Sequence, residues 1–411
     1  MQGRRAAPGT IDGRAVDPAM FDFDEIIDRR ATHSMKWDMM EPLFGVDARD
    51  GLPMWVADMD FRPPSAVMEA LAEEIARGVP GYFGDDRAYR DAIVGWMARR
   101  HGWEVAPESI LTTHGLVAAV GFCLQAFSAP GDGVILFTPV YHAFHRIVAA
   151  NGRRVVPSRL VERDGRYTMD LDALAASLTG DERIVIFCSP HNPGGRVWSV
   201  EEQRALAAFC AERDLVVVCD EIHHDLVLPG HVHVPLPIAA PEALDRTVML
   251  TAATKTFNIA GALTGNAIVP DAGLRARLAA VLAAAGTSPN RFGALMATAA
   301  YATGDAWVDA LTAYLGRNAR IFETGLAAIP GVRPMRLEAT YLAWVDFAGT
   351  GLAPDEVRRL VHERARIAPS PGAQFGAGGE RFLRFNLATP RARVVEAVER
   401  LQATFAEASA G

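Results

Sequence analysis

Between about residues 110 and 270, short apolar runs closed by Gly, Pro or Asp alternate with helix-period segments, and this alternation narrows the fold more than any other feature. VILFTP at 134–139 gives way to a helical stretch and then RRVVP at 153–157. DLDALAASL at 170–178 precedes RIVIFCSP at 183–190, and LVVVCD (215–220) and VMLTAA (248–253) complete the series. SVEEQRALAAFCAERD at 199–214 opens with Ser199 and has Glu202 three residues on, the spacing of a capping box. Strands that are apolar throughout, rather than at every second residue, are buried on both faces. The pattern predicts an α/β chain with a largely parallel sheet covered by helices on both sides.

After residue 271 the chain becomes helical (DAGLRARLAAVLAAA, then 292–327). It closes on an αβ pattern of YLAWVDF, DEVRRLVHERAR, RFLRFNL and a final helix from about 391, which predicts a smaller second domain. A length of 411 residues accommodates two or three domains. Lys and Arg total 41 against 49 Asp and Glu, a formal charge of −8 that disfavours a nucleic-acid or anionic-membrane surface. No apolar run reaches the ~18–20 residues of a membrane span. The first twenty residues carry arginines without an apolar core and read as a loose leader, not a signal peptide. Cys123, Cys188, Cys210 and Cys219 form no CxxC pair and predict a reduced, cytoplasmic setting.

In parallel sheets, ligands bind beyond the carboxyl ends of the strands. At those ends stand Tyr141, Asn192, Asp220 with Glu221, and Lys255: a stacking ring, an amide, carboxylates and an amine. The segment THGLVAAV (113–120) opens a helix after a short apolar stretch, so the amides of Gly115, Leu116 and Val117 are candidate phosphate donors. Thr251 and Thr254 are candidate hydroxyl donors beside the lysine. The glycine-rich GDG (131–133) and GAGGE (376–380) lack nucleotide-fingerprint spacing and read as turns. His223, His224, His231 and His233 cluster around Asp225, but their spacing matches no familiar zinc pattern, and no metal is expected.

SPHNPGGRVW, CDEIHHDL and TAATKTFNIAGALTG occur in that order. Together they resemble the fold-type I pyridoxal-phosphate enzymes of the class I/II aminotransferase superfamily. HSMKWD (33–38), MWVADMDF (54–61), GYF (81–83) and WMARRHGWEV (96–105) are similar to the cystathionine β-lyase, or C–S lyase, branch. The resemblance runs from about Phe21 to the end. It implies a large domain at 61–300 with a mostly parallel, seven-stranded sheet. It also implies a small α+β domain at 301–411, joined by the N-terminal segment 21–60 and preceded by the leader at 1–20.

The resemblance implies that Lys255 forms the Schiff base with pyridoxal 5′-phosphate and removes the Cα proton. It gives Asp220 to the pyridine nitrogen, Asn192 to the phenolic oxygen and Tyr141 to the ring face. Arg384 receives the substrate carboxylate, a role suited to its planar fork. Tyr82 is implied to reach the cofactor and substrate of a neighbouring subunit, making the active unit a homodimer. The family often carries an arginine about two turns after the lysine, where NIAGALTGN has none; three residues after Asp220, tyrosine is common and His223 stands here. Both departures match the C–S lyase branch, with His223 beside the cofactor. His114 and His142 replace prolines common at their positions. The expected reaction is β-elimination from L-cystathionine or a related S-substituted cysteine, giving thiol, pyruvate and ammonia. The alternatives are an aminotransferase of an amino-acid/2-oxo-acid pair and a lyase relative with an added regulatory binding role.

Overall fold

The computed structural model describes residues 21–410 together with the short paired strands Thr10–Ile11 and Arg14–Ala15. The rest of the leader expected over 1–20 lies outside the described residues. No described helix is long and apolar enough to cross a membrane.

A seven-stranded sheet runs in the order Ile110–Thr113, Gly265–Ile268, Thr247–Thr251, Val216–Asp220, Glu182–Cys188, Gly133–Thr138, Arg154–Arg159. The pairings on the Thr247–Arg159 side are parallel; Gly265–Ile268 is antiparallel to both its neighbours. Alternation along each strand divides the side chains between two cores. Val134, Leu136, Ile184, Ile186, Val218, Val248 and Leu250 pack with the helices Leu116–Phe127, His142–Ala150 and Ala272–Ala284. Ile135, Phe137, Val185, Phe187, Val217 and Cys219 face the opposite layer, where the helix Val200–Glu212 contributes Leu206, Phe209 and Cys210. Each such aliphatic side chain, fully buried, contributes about 1.5–3 kcal/mol. The helix at 200 begins with the predicted capping box, Ser199 and Glu202 each bonding the other's backbone N–H. Two strands, Ile110–Thr113 and Gly265–Ile268, were not singled out by the apolar pattern; at four residues each they are too short to show a period.

The second sheet has the order Arg333–Pro334, Leu342–Asp346, Phe382–Asn386, Ile367–Pro371, Leu52–Met54. The Leu52–Met54 strand pairs parallel to Ile367–Pro369, bringing the N-terminal segment into this sheet. Leu383 and Phe385 turn into the core shared with Leu315, Phe322 and Leu401 of the helices Asp305–Ala327 and Arg391–Ala410. Arg384 and Asn386 alternate with them and face the segment 55–59 instead.

That segment is tied at every carbonyl. Trp55 O accepts from Arg384 Nη2 (2.7 Å) and Ser370 Oγ (3.0 Å). Val56 O and Asp58 O each accept from Asn386 Nδ2 (2.6 Å), Ala57 O accepts from Lys255 and Tyr341, and Met59 O accepts from Asn258 Nδ2 and Arg29. Behind it, Lys36 is fully buried against Asp60 (2.9 Å), which also accepts from Trp37 Nε1. HSMKWD and MWVADMDF thus interlock as one buried charge network.

Candidate active site

At the carboxyl edge of the large sheet lies a cavity of about 200 Å³. Gly115, Leu116, Val117, Tyr141, Asn192, Asp220, His223, Thr254 and Lys255 all line it, from five separate chain segments. A wider cleft of about 620 Å³, near Arg159 and Phe382, contains none of them.

Each strand delivers its group by ending where it does. Ile110–Thr113 leads into Gly115, whose φ of 82° suits a glycine, and the helix opens at Leu116. The first amides of that helix have no intrahelical acceptor, and the residues that carry them line the cavity. Tyr141 stands at the N-terminus of the helix His142–Ala150. Asp220 is the last residue of its strand, 5% exposed, and accepts a hydrogen bond from Ile222 N at 3.1 Å. With no ion pair among the described residues, burial pushes its carboxyl up to about 6 despite that donor.

Lys255 sits in the one-turn helix Ala253–Thr256, and its Nζ donates to Ala57 O at 2.5 Å. Burial lowers its amine to about 8, with Arg384 adding to the fall and Asp58 and Asp220 opposing it. The chain carries only two lysines, and Lys36 is sealed into its ion pair. Lys255 is therefore the single amine facing the cavity among the described residues.

Arg384 adjoins the cavity through Asn192, whose Oδ1 accepts from Nη1 at 3.0 Å. The guanidinium is 3% exposed, stacks over Phe375 (4.8 Å) and has no carboxylate partner among the described residues. Burial lowers it to about 10, and its Nε has no acceptor. A buried, unpaired guanidinium is costly unless a bound anion completes it. His223 is held neutral, at about 3, by burial and by the nearby Lys255 and Arg384.

Two expected residues stand elsewhere. Thr251 does not reach the cavity: strand alternation turns its hydroxyl to His224 Nε2 at 3.2 Å, so it is not placed as a phosphate donor. Tyr82 is 96% exposed and lies outside the cavity of its own chain. His224 belongs to a different cluster, with Asp225 and the unforeseen His101. Asp225 accepts from Trp96 Nε1 (3.0 Å), His101 (2.7 Å) and Thr256 Oγ1 (2.7 Å), and lies 3.3 Å from His224. Those partners saturate the carboxylate with hydrogen bonds. Sequence reasoning also missed Ala57, Tyr341, Ser370 and Trp55. The first and last lie within MWVADMDF, a motif whose residue types point to no role for them; the scarcity of lysine is a further signal.

Residues 50–401 match the family model described as aminotransferase class I and II. The chain belongs to that family. It is 41% identical to cystathionine β-lyase PatB of Bacillus subtilis over 385 residues, covering 93% of this chain and 99% of that one. Among solved structures, cystalysin of Treponema denticola, which contains pyridoxal 5′-phosphate, superposes with a TM-score of 0.90 at 33% identity, covering 94% of this chain and 99% of that one. The pyridoxal-phosphate-bound C–S lyase of Staphylococcus hominis, in complex with L-cycloserine, gives 0.87 at 30%, covering 94% and 98%. The cavity and the comparisons thus converge on one cofactor and one family.

Proposed function

We propose that the chain is a pyridoxal-phosphate-dependent C–S lyase that cleaves L-cystathionine or a related S-substituted cysteine by β-elimination. The observation that carries it is Arg384, a buried cation with no counterion among the described residues, hydrogen-bonded to Asn192 near Lys255, the one lysine that lines the cavity among those residues. An amino acid supplies what that geometry lacks: a carboxylate for the guanidinium and an amine near Lys255.

The residues fit the cofactor. Amides of Gly115, Leu116 and Val117 at a helix start suit its phosphate, with Thr254 beside them. Asp220, buried with no ion pair among the described residues, suits a protonated ring nitrogen; Asn192 suits the phenolic oxygen and Tyr141 the ring face. When bound, pyridoxal phosphate supplies an aldehyde that captures the substrate amine and a ring that accepts the electron pair left at Cα. Arg384 holds the carboxylate. Lys255, its amine near neutrality, removes the Cα proton. Departure of thiolate from Cβ, then hydrolysis, leaves thiol, pyruvate and ammonia.

The lyase reading over an aminotransferase rests on the similarity to PatB and on the segment after Lys255, where Ala260 and Leu263 line the cavity without an arginine. We also read the active unit as a homodimer. The exposed Tyr82 supports it: Arg291 donates to Tyr82 O and pairs with Glu74, and the neighbouring stretches of chain leave Ile75, Val79 and Phe292 exposed as well. Four free, buried cysteines support a reducing, cytoplasmic setting.

The test supplies cystathionine and follows free thiol and pyruvate, with amino acids alone in parallel. Stoichiometric thiol and pyruvate are expected. No thiol from any cysteine conjugate, with ready conversion of the cofactor to its amine form by amino acids, overturns the lyase reading in favour of transamination.

A further inference from the structure

Ala57 O receives two side-chain donors at once. Lys255 Nζ reaches it at 2.5 Å and the Tyr341 hydroxyl at 3.0 Å. The oxygen has little freedom to swivel, because Asn386 holds the carbonyls on either side of it, at Val56 and Asp58. Tyr341 is equally fixed. It is 1% exposed, its ring meets His223 edge-on with centroids 6.0 Å apart, and its own carbonyl accepts from Leu387 N at 2.7 Å. The preceding Thr340 has φ 71°, an outlier for a β-branched residue. Its backbone N–H donates to Leu226 O and its hydroxyl accepts from Leu342 N, bonds that keep the strained turn in place. Strain of this kind persists where surroundings over-determine it, often at functional sites.

We propose that Tyr341 is a positioning residue for Lys255, acting through the Ala57 carbonyl that both side chains reach. The role rests on the function proposed above. When a neutral Lys255 amine takes a proton from substrate carbon it becomes an ammonium, and the C–H electron pair stays behind. The new N–H requires an acceptor, and Ala57 O already stands 2.5 Å from the nitrogen. The tyrosine hydroxyl holds that oxygen in place. By donating to the same oxygen it also weakens the grip of the carbonyl on the ammonium, so the amine is returned to its neutral, proton-accepting form. The other charged groups facing Lys255 are Asp58 and Asp220, which favour the ammonium, and Arg384, which disfavours it; His223 lies alongside as neutral imidazole.

The test compares wild type with Tyr341→Phe, which removes one oxygen and keeps the ring. In the cofactor-free chain, labelling of Lys255 by an amine-reactive reagent is followed against pH, with the modified peptide identified by mass; the only other lysine is the buried Lys36. The wild-type midpoint is expected at about 8. Tyr341→Phe is expected to raise it by roughly half a unit to one unit. In the loaded enzyme kcat is expected to fall roughly 3- to 10-fold with KM changed less than about twofold, because one hydrogen bond to the base is altered and none to the substrate. A folded Tyr341→Phe chain with an unchanged labelling midpoint overturns the proposal, as does a rise in KM that accounts for the whole loss. If Tyr341→Phe does not fold, ring-labelled tyrosine is observed by NMR in cofactor-free wild type and Lys255→Ala. One tyrosine signal is expected to titrate with the lysine midpoint in wild type and not in Lys255→Ala; absence of any such signal overturns the proposal. The labelling arm does not depend on which reaction the loaded enzyme performs, so failure of the lyase assay leaves the role of Tyr341 separately decided.

Discussion

Asn192 Oδ1 and Arg384 Nη1 are 3.0 Å apart, joining a turn after a strand of the large sheet to a strand of the small one. The amide that suits the cofactor oxygen and the cation that suits the substrate carboxylate are therefore registered to each other before either ligand arrives. Replacing Arg384 with Lys leaves the charge but removes the planar fork. KM for the amino-acid substrate is expected to rise roughly 10- to 100-fold, the equivalent of one lost charge-assisted hydrogen bond. Steady-state kinetics check this, and an unaltered KM would place the carboxylate elsewhere.

Lys255→Ala removes the one amine that lines the cavity among the described residues. The visible absorbance of lysine-linked cofactor is expected to vanish and kcat to fall by about 10³-fold or more. Persistence of that absorbance after dialysis would show that another group holds the cofactor.

The family resemblance marked these two residues in the sequence, and their placement supported it: Lys255 just past an apolar strand, Arg384 inside one. Their backbone partners were not legible there. Ala57 acts through its carbonyl, and nothing in an alanine side chain advertises a peptide oxygen. Thr251 and Thr254 look equivalent in sequence, yet only Thr254 reaches the cavity, because strand alternation commits the first to the His224 side. His101 and Asp225 lie 124 residues apart, a separation that local spacing does not encode.

Asp220 makes the cofactor-free chain sensitive to pH. Its carboxyl is raised from 3.8 to about 6, so the folded state binds a proton that the unfolded state has released between those values. Stability is then lost as pH rises from about 4 through 6, by roughly 3 kcal/mol in total. Cofactor-free Asp220→Asn is expected to be more stable than wild type near pH 7.5 and equal to it below pH 4, while its loaded form loses activity. Urea unfolding at the two pH values measures the difference; equal stability at both would contradict the raised carboxyl.

Asp225→Ala strands Trp96, His101 and Thr256 without their shared acceptor in the protein interior. Breaking one side of such a buried network costs about 3–5 kcal/mol. A large drop in Tm is expected, along with weaker cofactor retention, and thermal unfolding with and without pyridoxal phosphate reads both. A Tm within a degree or two of wild type would mean the cluster is not a structural support.

The homodimer proposed from Tyr82 carries a complementation prediction. Chains bearing Lys255→Ala and chains bearing Tyr82→Ala are each expected to be weakly active alone. If Tyr82 serves the partner's site, a mixed dimer contains one site with both defects and one with neither. Unfolding and refolding the two together is expected to restore activity; no recovery would place Tyr82 outside the site.

The antiparallel strand Gly265–Ile268 separates the strand Ile110–Thr113, which leads to Gly115, from the strand that leads to Lys255. With neighbouring strands 4.7–4.9 Å apart, it sets those two ends roughly 9–10 Å from each other. Running the opposite way, it sends its own carboxyl end to the far edge and brings only Ala260 and Leu263, from the segment leading into it, to the cavity. The sheet thus carries a built-in ruler, a reversed stave whose width fixes how long a molecule must be to touch the helix amides and the lysine together.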